Sequence, residues 1–343
     1  MPEVGFDQPQ KIESKRALAE KKLGFFPLDE INKDDKGQIR IIEGLNGPIA
    51  FSSSKGIRYK DFNEDIQYLN TWSNFFASID GMGGMGEPGA GRKAAFILAE
   101  EIQKGINKGQ EMKQIHLNAH FQLKRNGVGE GGACFLTAQI KGRTLEIHQA
   151  GDVRAVVIKK NGQILETKDE CLPHQKHTVY NCLQGDYLGK MTTDEFLLEE
   201  GDRVVIASDG VWDNFYFEKD SPQRESTENL VKLIKNQPLK AAANIITNWL
   251  KIKMSSPEGK PDNYNFIIYD FVKPPRKNLT LAEAENIREV LLSFDRITGL
   301  QGSKQFFSPE ALKSVVKRFF TGELTANHLT RSEGLREKIL QLA

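Results

Sequence analysis

The chain reads as an α+β protein with antiparallel pairing, and three observations lead there. Two hairpins are written into its middle. Ala133–Ile140 and Thr144–Ala150 flank Lys141-Gly142-Arg143, and Val153–Lys160 and Gln163–Thr167 flank Asn161-Gly162. Two helical stretches, 90–104 and 110–125, follow one another with no strand between them, which disfavours parallel βαβ winding. A closing strand, Tyr264–Phe271, comes only after two further helices at 226–236 and 239–253.

The bulk numbers narrow the classes. A length of 343 residues suits one large domain, or one domain with a smaller appendage. A net charge of +1 gives no reason to expect nucleic acid or an anionic membrane surface as a partner. The longest apolar runs fall far short of a bilayer span, and residues 1–30 lack the apolar core of a secretory signal, so a cytoplasmic address is expected. Cys134, Cys171 and Cys182 are scattered, without Cys-x-x-Cys spacing. They read as free thiols in a reducing compartment rather than as a disulfide framework or a zinc site.

Each element has its own local reason. Residues 10–22 have the pattern of a charged amphipathic helix, and 32–37 (Asn-Lys-Asp-Asp-Lys-Gly) that of a loop. A strand starts at Ile49-Ala50-Phe51 and ends near Gly56. Ala94, Ala95, Leu98, Ala99 and Ile102 lie at helical spacing up to a stop at Gly105, and the second helix stops at Gly127. After the hairpins a loop-rich segment runs from about 168 to 200, followed by the strand Arg203–Ser208. Lys273-Pro274-Pro275-Arg276-Lys277 reads as a boundary. Beyond it the character is helical: Thr280-Leu281-Ala282-Glu283 has the form of a capping box, and Ser308-Pro309 is an N-cap with proline at the first helical position. The apolar stripes there (Ile287, Val290, Leu291, Phe294, then Leu312, Val315, Val316, Phe319) are expected to pack against the main domain, with partner docking as their other use. The organisation expected is an N-terminal extension at 1–44, a main domain at 45–273 and a helical appendage at 278–343.

Four acidic signatures stand at or beside strand-like runs: Asn63-Glu64-Asp65, Asp80-Gly81, Asp209-Gly210 and Asp262-Asn263. Asp80 follows Phe75-Phe76-Ala77-Ser78-Ile79, and Asp209 follows Val204-Val205-Ile206-Ala207-Ser208. Carboxylates far apart in sequence converge if their strands lie side by side. Gathered together they repel, and a cation must offset the charge. An all-oxygen, carboxylate-rich set with no paired His or Cys suits Mg²⁺ or Mn²⁺ rather than Zn²⁺. Glycine after Asp80 lets backbone come close to an ion.

These pieces resemble the metal-dependent serine/threonine protein phosphatases (PPM, protein phosphatase 2C type). Gly56 with Asn63-Glu64-Asp65 resembles the family's first motif, and Ser78-Ile79-Asp80-Gly81-Met82-Gly83-Gly84 the second. Gly131-Gly132-Ala133-Cys134 resembles the start of the central hairpin, and Ala150-Gly151-Asp152-Val153-Arg154 the Gly-Asp-Ser-Arg motif. Gly201-Asp202, Ala207-Ser208-Asp209-Gly210-Val211-Trp212-Asp213 and Asp262-Asn263 resemble the late motifs, and the order holds over about residues 45–271. The resemblance implies a four-layer α-β-β-α sandwich of two antiparallel sheets flanked by helices, here with an added C-terminal helical segment. It implies two Mg²⁺ or Mn²⁺ ions between the sheets. Asp80 would bridge them with the Gly81 carbonyl as a further ligand, Asp209 and Asp262 would hold one ion, and Glu64 and Asp65 would serve the other, partly through water. The implied activity is hydrolysis of phosphoserine and phosphothreonine in a phosphorylated protein substrate, with Asp80 and Asp209 at its centre. The attacking group is a water activated between the ions, and no phosphoenzyme is needed.

The chain departs from the pattern in two places. Many eukaryotic members carry a general-acid His where Met82 stands; proton donation by such a group is worth about 10²–10⁴ in rate. Asp-Gly-Met-Gly-Gly is also similar to the bacterial signalling branch, which continues with His where Met85 stands here. The phosphate-binding Arg expected five residues before Asp65 is replaced by Lys60, with Arg58 two residues earlier. Either cation can meet a phosphate, Lys as a point charge rather than a fork, or both are solvated surface charges. The alternative function is therefore a pseudophosphatase that binds a phosphoprotein or partner without efficient turnover. The remaining motifs read as structural. Gly81-x-Gly83-x-x-Gly86 matches a dinucleotide fingerprint but lacks the following strand and acid. Asp152 and Arg154 read as a turn carboxylate and its partner, His174 and His177 as loop residues, His148 as a sheet residue, Trp212 and Trp249 as core. No Cys-x5-Arg nucleophile motif is present.

Overall fold

The computed structural model describes residues 28, 32, 36–44, 46–57, 63–71, 74–82, 87–172, 175–216 and 222–272. The helix expected at 10–22, Arg58, Lys60, Met85, His174, the side chain of His177 and the helices expected after 278 lie outside the described residues. The chain divides into two compact units, and the one made of Pro27–Ile106 and Gln110–Lys273 carries both large sheets.

Among the described residues, fourteen strands and five α-helices form in this order. They are β1 (Arg40–Gly44), β2 (Gly47–Ser54), β3 (Ile66–Asn70), β4 (Phe75–Met82), α1 (Ala90–Asn107), α2 (Met112–Arg125), β5 (Gly132–Lys141), β6 (Thr144–Ala150), β7 (Arg154–Ile158) and β8 (Ile164–Glu166). Then come β9 (Cys171–Leu172), β10 (Gln175–Val179), β11 (Leu183–Gln184), β12 (Thr192–Leu197), β13 (Arg203–Ala207), α3 (Asp209–Trp212), α4 (Gln223–Ile234), α5 (Leu239–Met254) and β14 (Tyr264–Asp270). One sheet has the order β1-β2-β14-β13-β7-β8, the other β12-β6-β5-β4-β3 with β11 beside β5, and β9 pairs with β10. The central pairings, β4 with β5, β5 with β6, β13 with β14 and β13 with β7, are all antiparallel.

Period-two alternation decides which layer each side chain meets. On β4 and β5, Phe75, Ala77, Ile79, Ala133 and Phe135 face out. They pack with Ala94, Ala95, Leu98, Ala99 and Ile102 of α1 and with Ile115, Ala119 and Leu123 of α2. On the other sheet Ala50, Val156, Val205, Ala207, Phe266 and Ile268 pack with Leu230 and Ile234 of α4 and Ala242, Ala243, Ile246 and Leu250 of α5. Burying a large aliphatic or aromatic side chain is worth ~1.5–3 kcal/mol, so each sheet is clamped to its helices by several such contacts. Residues of opposite parity meet between the sheets: the rings of Phe76 and Tyr269 lie 5.4 Å apart. The result is the expected α-β-β-α sandwich.

Some elements differ from expectation. The first helix runs through Gly105 to Asn107. That glycine is there for packing: a Cβ on it would lie 2.3 Å from Ile115 Cγ1. The segment expected to be loop-rich contains β12, whose residues alternate between half-buried and exposed along an edge of the sheet. Strand β1 pairs with β2 although it lies before residue 45. Among the described residues, no helix is long and apolar enough to cross a membrane.

Candidate metal centre

The space between the sheets grows more polar from one end to the other. It starts at the Phe76–Tyr269 contact. Two residues further along β4, Ser78 Oγ donates to Asn265 Oδ1 (2.6 Å), while Gln67 Nε2 donates to the Phe266 carbonyl (2.8 Å). Next come Ser208 Oγ and Asn265 Nδ2, which both donate to Asp65 Oδ2 (2.6 and 3.0 Å). Two residues past Ser78, the β4 alternation places Asp80.

Close backbone approach fixes the segments that carry the acids. A Cβ on Gly81 would lie 2.6 Å from the Gly91 carbonyl, so the end of β4 and the start of α1 touch through glycine. A Cβ on Gly210 would lie 1.8 Å from the Asn263 carbonyl, which brings the residue after Asp209 against the residue after Asp262. The Asn263 side chain extends the lock. Its Oδ1 accepts from the Glu64 N–H (3.0 Å) and its Nδ2 donates to the Lys55 carbonyl (2.8 Å). Asn63 Oδ1 accepts from the Asp65 N–H (3.0 Å). Glu64 Oε1 accepts from the Arg92 N–H (3.3 Å) in the first turn of α1, where a carboxylate suits the helix dipole.

The acids share one electrostatic field. Burial pushes the Asp65 carboxyl up to about 8, against the Ser208 hydrogen bond and with help from Asp209 and Asp262. Burial likewise raises Asp80 well above the usual range, and Asp65, Asp209, Asp152 and Asp262 raise it further. Asp152 also sits at about 8, through burial and then Asp209 and Asp169. The structure thus brings Asp65, Asp80, Asp209 and Asp262 together, places Glu64 at the adjacent helix start, and adds Asp152 and Asp213. It is a shared field rather than a closed shell. Among the described residues, no three acidic, His or Cys side chains are grouped tightly enough to hold an ion by themselves. Among the described residues, Lys260 is a cation that stands among the acids. Its Nζ donates to Asp209 Oδ2 and lies 2.9 Å from Asp213 Oδ2 and 3.5 Å from Asp262 Oδ2. A cluster of hard oxygen donors that already attracts one positive charge fits a divalent ion of the Mg²⁺ or Mn²⁺ class.

Other motif residues turn out to be braces. Arg154 pairs with Asp169, not with Asp152: Nε donates to Asp169 Oδ1 at 2.9 Å, and the guanidinium lies 4.8 Å from the Trp212 ring centroid. The expected Asp152–Arg154 turn pair is corrected accordingly, because Arg154 points outward with β7 toward α4 while Asp152 stays with the acids. Asp202 accepts from the Lys160 and Glu199 N–H groups (2.9 and 2.7 Å) and holds a turn. His148 sits between Glu146 and Thr193 on the sheet surface (2.9 and 3.1 Å). Trp212 is buried, and the Trp249 ring stacks on Phe215. Sequence reasoning missed Lys260, Asp213, Ser208 and Asn265. Ser208 and Asp213 do lie within the quoted late motif; nothing in the sequence marked Lys260.

The field sets a pH dependence. Asp65 and Asp152 bind protons more tightly folded, near 8, than unfolded, near 4. Between those values the folded state carries more protons, so stability falls as pH rises. His116, pushed down to about 4 by burial, acts in the opposite direction, but only below about pH 6.5. In chelator the melting temperature is therefore expected to fall between about pH 6.5 and 8.5, and saturating Mn²⁺ to flatten the slope. Calorimetry at the two pH values checks this; a flat or rising melting temperature in chelator contradicts it.

No protein-family profile matches the chain. It is 26% identical over 203 residues to protein phosphatase PTC7 homolog fig of Drosophila virilis, a match covering 52% of this chain and 64% of that protein. It is 23% identical over 226 residues to human protein phosphatase 1B, covering 55% and 44%. The matched region thus spans less than two thirds of these relatives' length. The Mycobacterium tuberculosis serine/threonine phosphatase PstP superposes with a TM-score of 0.52 at 18% identity, covering 65% of this chain and 98% of that one. A structure of the catalytic domain of serine/threonine protein phosphatase PstP in complex with two manganese ions gives 0.52 at 19% identity, with 65% and 97% covered. In fold and in sequence the chain resembles the metal-dependent serine/threonine protein phosphatases of the protein phosphatase 2C type.

Proposed function

We propose that this protein hydrolyses phosphoserine and phosphothreonine in proteins with the help of two Mg²⁺ or Mn²⁺ ions. The observation that carries the reading is the convergence of separate acidic segments: Asp65 accepts from Ser208 beside Asp209, Lys260 reaches both Asp209 and Asp262, and Asp80 is raised by the charges of all three. Asp80 with the Gly81 carbonyl, Asp209 and Asp262, and Glu64 with Asp65 would hold the ions. When bound, the ions supply a more acidic water and neutralise charge on the phosphoryl oxygens. The chain's own part is positioning. Asn263 ties the Glu64 segment to the Asp262 segment, and Ser208 and Asn265 fix Asp65. Arg58 and Lys60 are the proposed phosphate cations.

The domain limits 45–273, the docking role of 278–343 and a cytoplasmic address belong to the same proposal; the free thiols Cys134, Cys171 and Cys182 suit a reducing compartment. A second reading, partner binding without turnover, gains support from Lys260, which already supplies a counter-charge to three of the acids. Hydrolysis of a phosphothreonine peptide with Mn²⁺, and its loss in EDTA, is the expected outcome. Mn²⁺ binding by calorimetry without turnover on any phosphopeptide would favour the second reading, and activity indifferent to EDTA would defeat the first.

A further inference from the structure

Lys260 is held in place. Its N–H donates to Asn214 Oδ1 and its carbonyl accepts from Asn214 Nδ2, both at 3.0 Å. Asn214 is buried and also donates to the Gly210 carbonyl (2.8 Å), next to Asp209. Pro261 follows and restricts the backbone. The loop thereby aims the side chain at Asp209, Asp213 and Asp262, while the side chain keeps 25% of its surface exposed. A lysine is a compact charge on a flexible four-carbon stem, so the head can leave without moving the loop.

We propose that Lys260 is a tethered counter-ion which competes with a divalent ion for the Asp209–Asp262 end of the cluster. The inference rests on the metal reading above and adds a regulatory element to it. Lys260 Nζ already takes up the Asp209 carboxylate, and a divalent ion arriving at the same oxygens is repelled by that ammonium. An entering ion therefore displaces the ammonium toward solvent, and its apparent affinity is lowered by whatever the docked lysine contributes. Without metal, the lysine holds the three acids together, so the site is preformed. With metal, the released ammonium stands at the rim of the site. Lys260 thus sets the metal concentration at which the centre fills.

The test is calorimetric titration of Mn²⁺ alone into the chelator-stripped full chain and into Lys260→Gln, alongside thermal unfolding of each with and without Mn²⁺. The variant is expected to bind Mn²⁺ at least about tenfold more tightly. Its metal-free melting temperature should be lower than wild type, and its rise on saturation larger. Lys260→Arg, which keeps the charge, should bind within about threefold of wild type. A variant that folds only when Mn²⁺ is present also supports the proposal, since the ion then replaces the missing charge. Equal or weaker binding by a folded Lys260→Gln, or failure to fold even with Mn²⁺, overturns it and leaves the metal reading standing if wild type binds. If neither protein binds Mn²⁺, the metal reading falls and this proposal falls with it.

Discussion

Replacing Asp80 by Asn is expected to lower Mn²⁺-dependent phosphopeptide hydrolysis by about 10²–10³-fold or more, the scale seen when one preorganised electrostatic contact is removed. The same change is expected to raise the melting temperature of the metal-free protein. The two effects have one cause. Asp80 lies where β4 carries it toward Asp65, Asp209, Asp152 and Asp262, and its carboxyl is raised by burial and by each of those charges. Asn has nearly the same shape and no charge. It relieves the repulsion while removing a carboxylate that would hold the ions. Opposite signs for activity and stability separate loss of chemistry from loss of fold. Side-by-side measurement of kcat/KM in Mn²⁺ and melting temperature in EDTA decides it. A destabilised Asp80→Asn, or one retaining most of its activity, removes Asp80 from the centre of the site.

How much of this was legible in the chain follows from what each residue has to do. The strands were readable because they announce themselves locally: Asn161-Gly162 closes one hairpin, and apolar runs end at Asp80 and Asp209; their stacking into a sandwich was readable only through the family resemblance. That the acids lie near one another was readable because carboxylates closing apolar runs meet when those strands lie side by side. Lys260 was not, since a lysine between glycine and proline looks like any solvated loop charge, and only the fold brings Asp209 and Asp213 to it. Asn265 and Gln67 alternate with apolar neighbours and look like solvent-facing strand positions, yet they face the other sheet. The end of the first helix was misplaced because Gly105 can stop a helix or admit Ile115, and local sequence does not choose between them. Arg154 was paired with the wrong aspartate, because Asp152 is adjacent in sequence and Asp169 adjacent only in space.

That last pair yields the largest expected effect on stability. Arg154→Met is expected to cost ~3–5 kcal/mol, the usual penalty for breaking a buried ion pair by removing one member. The guanidinium is 1% exposed. It forms a two-pronged pair with Asp169, with its Nε–H donating to Oδ1 at 2.9 Å, and donates to Ser226 and Thr227 of α4 (2.9 and 3.1 Å). It also lies against the ring of Trp212, whose helix begins at Asp209. One side chain thus ties β7, α4 and the Asp209 helix together. Methionine fills similar volume but leaves the largely, not fully, buried Asp169 without its cation, and burial already pushes that carboxyl up even with the cation present. Removing both charges in Arg154→Met/Asp169→Leu should therefore recover most of the loss, because the cost lies in the orphaned charge rather than in the missing attraction. Urea unfolding of the single and double variants measures the difference. A single variant costing under about 1 kcal/mol would show that Arg154 behaves as a surface pair does. It would also reopen a direct role for it at the site, which its burial now argues against.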